Sequence, residues 1–302
     1  MTALSDASAH APQQDDPARV SRGRRFAWLG SVPFFLYTGI FLLLPTLLVV
    51  IGAFRDRNGN FSLAGINLVF SQQTLQIFWT TTYLSLITAA IGAVVGALAS
   101  YALATSPEGS FLRRVYTALC SVLAQFGGVM LAFAFIALIG RNGTLSRLMR
   151  DVFETQIPGG FLSSVPGLVL VYCYFQIPLM VIVFLPALDG LRPQWREANE
   201  SFGGGTWTYW TKIAGPLLAP SFFGSFLLLF ANAFSAYATA AALISQQNII
   251  VPMAIEGALR NENNPGMDSY AQALALGMIV VVAIVMIAYA LLQKRTSRWL
   301  GA

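Results

Sequence analysis

Charged residues leave six long gaps in this chain, and those gaps restrict what it can fold into. Runs without Asp, Glu, Lys or Arg cover residues 26–54, 58–107, 115–140, 155–188, 213–255 and 269–293, the shortest being 25 residues long. About 20 apolar residues in helical conformation cross the hydrocarbon core of a bilayer. Each gap therefore holds one spanning helix, and the expected spans lie near 27–53, 76–104, 115–139, 165–188, 216–244 and 268–293. Residues 58–75 are interrupted by polar and turn-forming residues and read as a loop. The expected fold class is an all-α integral membrane protein with six transmembrane helices.

Composition agrees with a lipid solvent. Only 10% of residues are charged and 56% are apolar or aromatic, whereas a soluble domain carries about 25% charged residues. One histidine, His10, and two cysteines, Cys120 and Cys173, exclude most metal sites, a histidine-dependent triad and a framework of several disulfides. Both cysteines fall in expected spans and read as inert core residues.

Residues 1–25 are polar, end in Arg19, Arg22, Arg24 and Arg25, and read as a disordered tail. The following apolar segment is longer than a signal-peptide core and is expected to remain as the first span. With the N-terminus inside, twelve Lys and Arg residues fall on the cytoplasmic side and six outside, so the positive-inside rule places both termini in the cytoplasm. The Arg141, Arg147 and Arg150 cluster pulls mildly the other way. The net charge of +5 needs no nucleic acid, because a basic rim beside anionic lipid accounts for it.

A proton-coupled carrier places titrating groups inside the bilayer, and the six spans contain no Glu, Lys or His, and no Asp beyond Asp268 at the very edge of the last. No G-x-x-x-x-G-K-[ST] phosphate loop occurs, so the chain is not expected to hydrolyse ATP by the usual P-loop route. No paired carboxylates, nucleophile with base, or metal-ligand cluster suggests catalysis. No cofactor or metal is expected on this chain.

The loop after the fourth span reads REANESFGGGTWTYWTKIAGPLLAP from Arg196 to Pro220. Residues 193–202 favour a short amphipathic helix, and Gly203, Gly204 and Gly205 permit a sharp turn with positive φ. Residues 206–213 can form a second short helix, capped by Thr206, with Trp207, Trp210 and Ile213 on one face. Pro216 then opens the fifth span. A hairpin floating on lipid headgroups is one reading of this loop alone.

The loop also resembles the EAA motif of permease subunits of type I ATP-binding-cassette importers. Glu197, Ala198, Gly203, Trp210, Ile213 and Pro216 fall in register with that motif, while Asn199 stands at its second Ala and Gly215 where Leu is usual. The segments YCYFQIPLMVIVFLPAL (172–188), LLLFANAFSAYATAAALIS (227–245) and AQALALGMIVVVAIVMIAYALL (271–292), with GRNGTLSRLM (140–149), are similar to permeases of the polyamine, phosphonate, iron and thiamine branch, most of all spermidine/putrescine permeases.

The resemblance implies a six-span permease domain over residues 26–302 in a bacterial inner membrane, with a cytoplasmic coupling hairpin at about 192–213. It implies a cytoplasmic ATPase dimer carrying ATP and Mg²⁺, a second permease subunit of the same or a different chain, and an extracytoplasmic binding protein. The leading substrate class is polyamine. Aminoethylphosphonate, thiamine or ferric iron importers of the same branch are the alternatives, and a secondary carrier or an intramembrane enzyme are the readings from other classes.

Among polar residues within spans, Asn232 and Tyr237 are the candidates for lining a passage, with Gln125 and Ser235 nearby in type. Gly92 and Gly96 read as a helix-packing pair, and Pro33, Pro45 and Pro178 as helix kinks. The segment 246–268, with Glu256, Arg260 and Glu262, reads as a solvated outer loop or a receptor contact. Cysteines introduced at Arg24 and Lys294 are expected to resist an impermeant thiol reagent in intact cells; labelling of both from outside would overturn the topology with both termini inside.

Overall fold

The computed structural model describes residues 32–56, 59–107, 109–155, 157–244, 250–261 and 266–300. The tail at 1–25, and Glu262, lie outside them. Among the described residues the chain is helical, with a single isolated bridge between Arg55 and Phe61 and no strand. Six stretches are long and apolar enough to cross a membrane: Val32–Gly52, Gln72–Ala104, Gly128–Phe153, Val165–Asp189, Thr206–Ser235 and Met267–Leu291.

The chain separates into two units, Met1–Ile51 and Gly52–Ala302, and each is described by itself. In the first, α1 (Val32–Gly52) contains a π-turn at Gly39–Leu43, where the Leu44 N–H donates to Gly39 O. Pro45 follows directly. A proline lacks the N–H that would donate one turn back, and widening the preceding turn absorbs that defect without ending the helix.

In the second unit, α2 (Ala64–Val69) stands in the segment read from sequence as a loop. The long α3 (Gln72–Ala104) starts at Ser71, whose Oγ accepts from the Thr74 N–H at 3.4 Å. It packs on α7 (Val165–Asp189) through small residues. A Cβ on Gly92 would sit 2.9 Å from the Cβ of Gln176, and one on Gly96 only 2.5 Å from that of Met180. The pairing advances by four residues on each helix, so the two run in the same direction. Hydroxyls on the same face of α3 donate to their own helix, Ser85 to Thr81 O at 2.7 Å and Ser100 to Gly96 O at 2.8 Å, leaving no polar hydrogen facing α7 unsatisfied there.

The expected third span is two helices. α4 (Phe111–Gln125) and α5 (Gly128–Ile139) meet at a break, and the amphipathic α6 (Thr144–Phe153) follows. The apolar stretch that qualifies by length therefore begins only at Gly128, after the break. α4 runs against α7: Arg113 at its start pairs with Asp189 at the end of α7, and Cys120 packs with Val181 and Leu185.

Beyond α8 (Pro193–Ser201) and α9 (Thr206–Ser235) come the short α10 (Ala238–Leu243), α11 (Val251–Arg260) and α12 (Met267–Leu300). The segment expected to be a solvated loop thus contains a packed helix. The Val251 N–H that starts α11 donates to Thr81 Oγ1 on α3 at 2.9 Å, and Val251, Met253, Ala254 and Ala258 are buried. Gln176, fully buried on α7, donates from Nε2 to Leu229 O on α9 at 2.8 Å, so α3, α7 and α9 form one packed group.

The close approach of α3 and α7 gives a direct test. Gly96→Val places a branched side chain against Met180 and the Ile177 carbonyl, 2.8 Å from the position of its Cβ, and is expected to cost about 1–3 kcal/mol by overpacking. Thermal unfolding in detergent should show a lower Tm, while Gly159→Ala, exposed and with nothing within 4 Å, should leave it unchanged.

Candidate functional site

The loop carrying the motif folds as a rigid hairpin. α8 ends with Gly203 at φ 76°, its N–H donating to Glu200 O at 2.9 Å, and the Gly204 N–H donating to Asn199 O at 2.8 Å. These two bonds form a Schellman motif, which satisfies the last carbonyls of a helix when a glycine takes the left-handed conformation after it. Asn199, largely buried, then reaches across the turn. Its Nδ2 donates to Gly204 O at 2.9 Å and to Gly205 O at 3.2 Å. A Cβ on Gly204 would lie 2.3 Å from Asn199 Oδ1, so the amide fits only against glycine.

The second arm differs from the expected separate helix at 206–213. Thr206 is its first residue, and the cap position belongs to Gly205, with no side-chain cap. The arm continues without interruption into the fifth span as α9. Continuity comes from a π-turn at Trp210–Ala214, in which the N–H of Gly215, the residue just before Pro216, donates to Trp210 O. A Cβ on Gly215 would lie 2.4 Å from that same carbonyl. Both departures from the family motif, Asn199 and Gly215, therefore have a local structural reason.

The π-turn also shifts the register, so Trp207, Trp210 and Ile213 do not share one environment. Trp207 is 81% exposed, as is Phe202 at 92%. Trp210 turns inward, its ring 5.2 Å from that of Tyr101 on α3 in an edge-on contact, among side chains packed on Met180 and Phe184. Ile213 borders a cleft of about 460 Å³ with Trp195, Ala198 and Phe202. Glu197 and Ala198 are exposed on α8, and Pro216 lies inside α9. The six motif residues thus divide into a tip (Glu197, Ala198, Gly203) and a root (Trp210, Ile213, Pro216). Sequence reasoning did not single out Phe202 and Trp207 as exposed aromatics, although both stand in the loop beside the glycines.

The polar span residues gather elsewhere, at two helix breaks that meet. Gly128 has φ 74° between α4 and α5, and Ala236 and Tyr237 separate α9 from α10. The Gly128 N–H donates to Thr239 Oγ1 at 2.9 Å, and the Tyr172 hydroxyl donates to Ala236 O at 2.9 Å. Backbone groups released at membrane depth require protein partners, and each break here is satisfied by a side chain from another segment. Between them lies a cavity of about 240 Å³ lined by Ala124, Phe175, Asn232, Ser235, Tyr237 and Thr239, among others. Asn232 and Tyr237 both stand in its wall. Tyr237 also interacts through its hydroxyl with Glu256 on α11, which pairs with Arg260. Gly128, Tyr172 and Thr239 escaped the sequence reading; the Gly127–Gly128 pair was the available signal.

Among the described residues the chain is helical, and its six apolar stretches, the polar hairpin continuous with one of them and the polar cavity at facing helix breaks define the class as a multi-span membrane protein. Residues 92–298 match the family described as binding-protein-dependent transport system inner membrane component, and the chain belongs to that family: it is a permease subunit of an ATP-binding-cassette importer of the inner membrane. It is 24% identical over 264 residues to the sulfate transport system permease protein CysW of Synechocystis, covering 86% of this chain and 90% of that one. It is 22% identical to the spermidine/putrescine transport system permease protein PotB of Haemophilus influenzae, covering 85% and 91%. Among solved structures, a chain of a bacterial alginate importer in complex with its pentasaccharide-bound periplasmic protein superposes with a TM-score of 0.71 at 14% identity, covering 92% of this chain and 97% of that one. A chain of the MetNI methionine transporter gives 0.54 at 14% identity, covering 75% and 99%.

The pin across the hairpin turn is testable by a double-mutant cycle. Asn199→Ala removes two hydrogen bonds, at about 1–2 kcal/mol, and Gly204→Ala forces the amide out. With Asn199→Ala already present, Gly204→Ala should cost nothing further, giving a coupling of about 1 kcal/mol or more. Hydrogen exchange at the amides of residues 203–206 reads the effect.

Proposed function

We propose that the hairpin end faces the cytoplasm and seats in an ATPase dimer that carries ATP and Mg²⁺, and that this chain pairs with a second permease subunit, identical or different. An extracytoplasmic binding protein delivers a small solute to the opposite end. The chain itself hydrolyses nothing. One observation carries this reading: α9 runs unbroken from Thr206 to Ser235, about 45 Å at 1.5 Å per residue. The same rigid helix holds the hairpin root at one end and Asn232 and Ser235 in the cavity wall at the other. Tilting the hairpin moves the cavity wall, and the contact of Trp210 with Tyr101 passes part of that motion to α3. Rigid-body switching of this kind needs stiff elements between the two sites.

Polyamine is the substrate class put forward, supported by the likeness to the spermidine/putrescine permease and by the Phe175 and Tyr237 rings at the cavity, whose faces attract cations. A sulfate-like oxyanion is the second reading. It is favoured by the likeness to CysW and by the N-terminus of α5 at the cavity, the positive end of a helix dipole.

Proteoliposomes holding the permease, the ATPase and the binding protein should accumulate spermidine with ATP hydrolysis; uptake of sulfate instead selects the second reading. Gly203→Val, strained at φ 76°, is expected to insert normally and to lower uptake about tenfold or more. Nucleotide turnover by this chain alone, or uptake driven by an ion gradient without the ATPase, would overturn the proposal.

A further inference from the structure

One face of α3 is apolar along the whole depth of a bilayer. Trp79, Tyr83, Leu86, Val94, Leu98 and Tyr101 are exposed, at spacings that keep them on one side of the helix. From Trp79 to Tyr101 the face is about 33 Å long at 1.5 Å per residue, against about 30 Å for the hydrocarbon core. It begins and ends on aromatic rings with a polar end, the residue types that settle at the two membrane surfaces. A face of this length, composition and boundary meets lipid.

At the hairpin end this face opens into a groove of about 580 Å³, walled by α3 and α9 with Phe184 of α7 buried in its floor. Leu98 and Tyr101 on one side and Phe223 on the other stand exposed at its rim, and the small residues Ala97, Gly215 and Ala219 open the space between them. The walls run from Val94 to Tyr101 and from Gly215 to Phe223, about 10–12 Å, close to the depth of about 15 Å of one leaflet. The lining is graded. Its only polar side-chain atoms are the Tyr101 hydroxyl and the Trp210 indole N–H, on two rings that meet edge-on at 5.2 Å at the hairpin end. Deeper in the membrane it is hydrocarbon alone.

We propose that this groove is a phospholipid site, in which one acyl chain from the leaflet on the hairpin side lies against Ala97, Gly215 and Ala219, with its ester and headgroup beside Tyr101 and Trp210. The gradient of the lining follows a phospholipid from chain to headgroup, and the groove continues a face that already meets lipid. The chain is out of water before it binds, so the hydrophobic effect contributes nothing. The attraction comes from the contacts the lining would lack if the groove stood empty. A chain seated there backs Trp210 where it meets α3 and stiffens the hairpin root. The site goes beyond the importer reading above: it needs only the membrane placement of the family, and none of the solutes or partners proposed.

The test reconstitutes the full chain, with the subunits that co-purify with it, in vesicles holding a phosphatidylethanolamine whose palmitoyl chain bears a diazirine, and maps the photo-cross-links by peptide mass spectrometry. Residues 94–101 and 215–223 should capture the probe about tenfold more than residues 79–86 at the other end of the same face. Ala219→Phe, which fills the groove, should remove that excess and leave capture at 79–86 unchanged. Where Ala219→Phe does not insert, Ala97→Leu on the opposite wall carries the same expectation. Equal capture along the whole face, as boundary lipid alone would give, overturns the proposal. So does an excess that survives both substitutions, and so does a groove that captures the probe in the isolated chain but not in the assembled complex, as burial against a second permease subunit would give.

Discussion

Every backbone N–H and C=O at membrane depth must find a partner within the protein, and this constraint governs where the chain can stop being helical. A break in a spanning helix exposes several such groups in a solvent that cannot bond them. This chain tolerates two breaks because they are placed against each other. Thr239, beyond the break in the fifth span, accepts from the Gly128 N–H in the third, and Tyr172 supplies its hydroxyl to Ala236 O. If either break moves alone the Gly128 N–H loses Thr239, whereas the Ala236 carbonyl is held by Tyr172 of α7. A cavity bordered by bonds of this kind is well defined in shape.

The same constraint explains the opposite choice at the hairpin. Pro216 would ordinarily end a helix, since it lacks a donor and crowds the preceding turn. Here the turn before it widens to a π-turn, and Gly215 gives the room at Trp210 O. α1 uses the same device before Pro45. The result is a helix that stays stiff through its proline, so the hairpin root and the cavity wall are parts of one element. Asn199 completes the arrangement by tying the glycine turn to α8. Three consecutive glycines would otherwise be a loose joint, because glycine gains the most backbone freedom when unconstrained.

Much of this was legible in the sequence, and the part that was not has a physical reason. Gaps between charges located the apolar segments, because a charge is expensive in lipid wherever it sits. They could not locate the breaks, since Phe126–Gly127 and Ala236–Tyr237 are as free of charge as a continuous helix. α11 was hidden for a related reason: Glu256 and Arg260 made its segment look like a solvated loop, although both charges lie on one side and Val251, Ala254 and Ala258 are buried on the other. Asn232 and Tyr237 could be picked out because polar groups within a span need an explanation. Tyr172 and Thr239 could not, because their role is to satisfy backbone atoms whose exposure only the fold reveals. Motif matching found Gly203, while the meaning of Asn199 and Gly215 lay in their disagreement with the motif.

The neutrality of the cavity bears on where selection occurs. Its wall offers an amide, hydroxyls, aromatic rings and the end of one helix, and the ion pair of Glu256 and Arg260 stands beside it, one charge offsetting the other. A site that discriminates strongly needs buried groups left unpaired by the wrong solute, or a fixed charge that repels it. Hydroxyls already bonded to their own helix, as Ser225 and Ser235 are, lose little when a mismatched solute passes. If the solute passes here, as proposed above, the family's binding-protein dependence fits this physics: a passage that holds solutes weakly can release them quickly, and discrimination then falls to the component that captures the solute before it reaches the membrane.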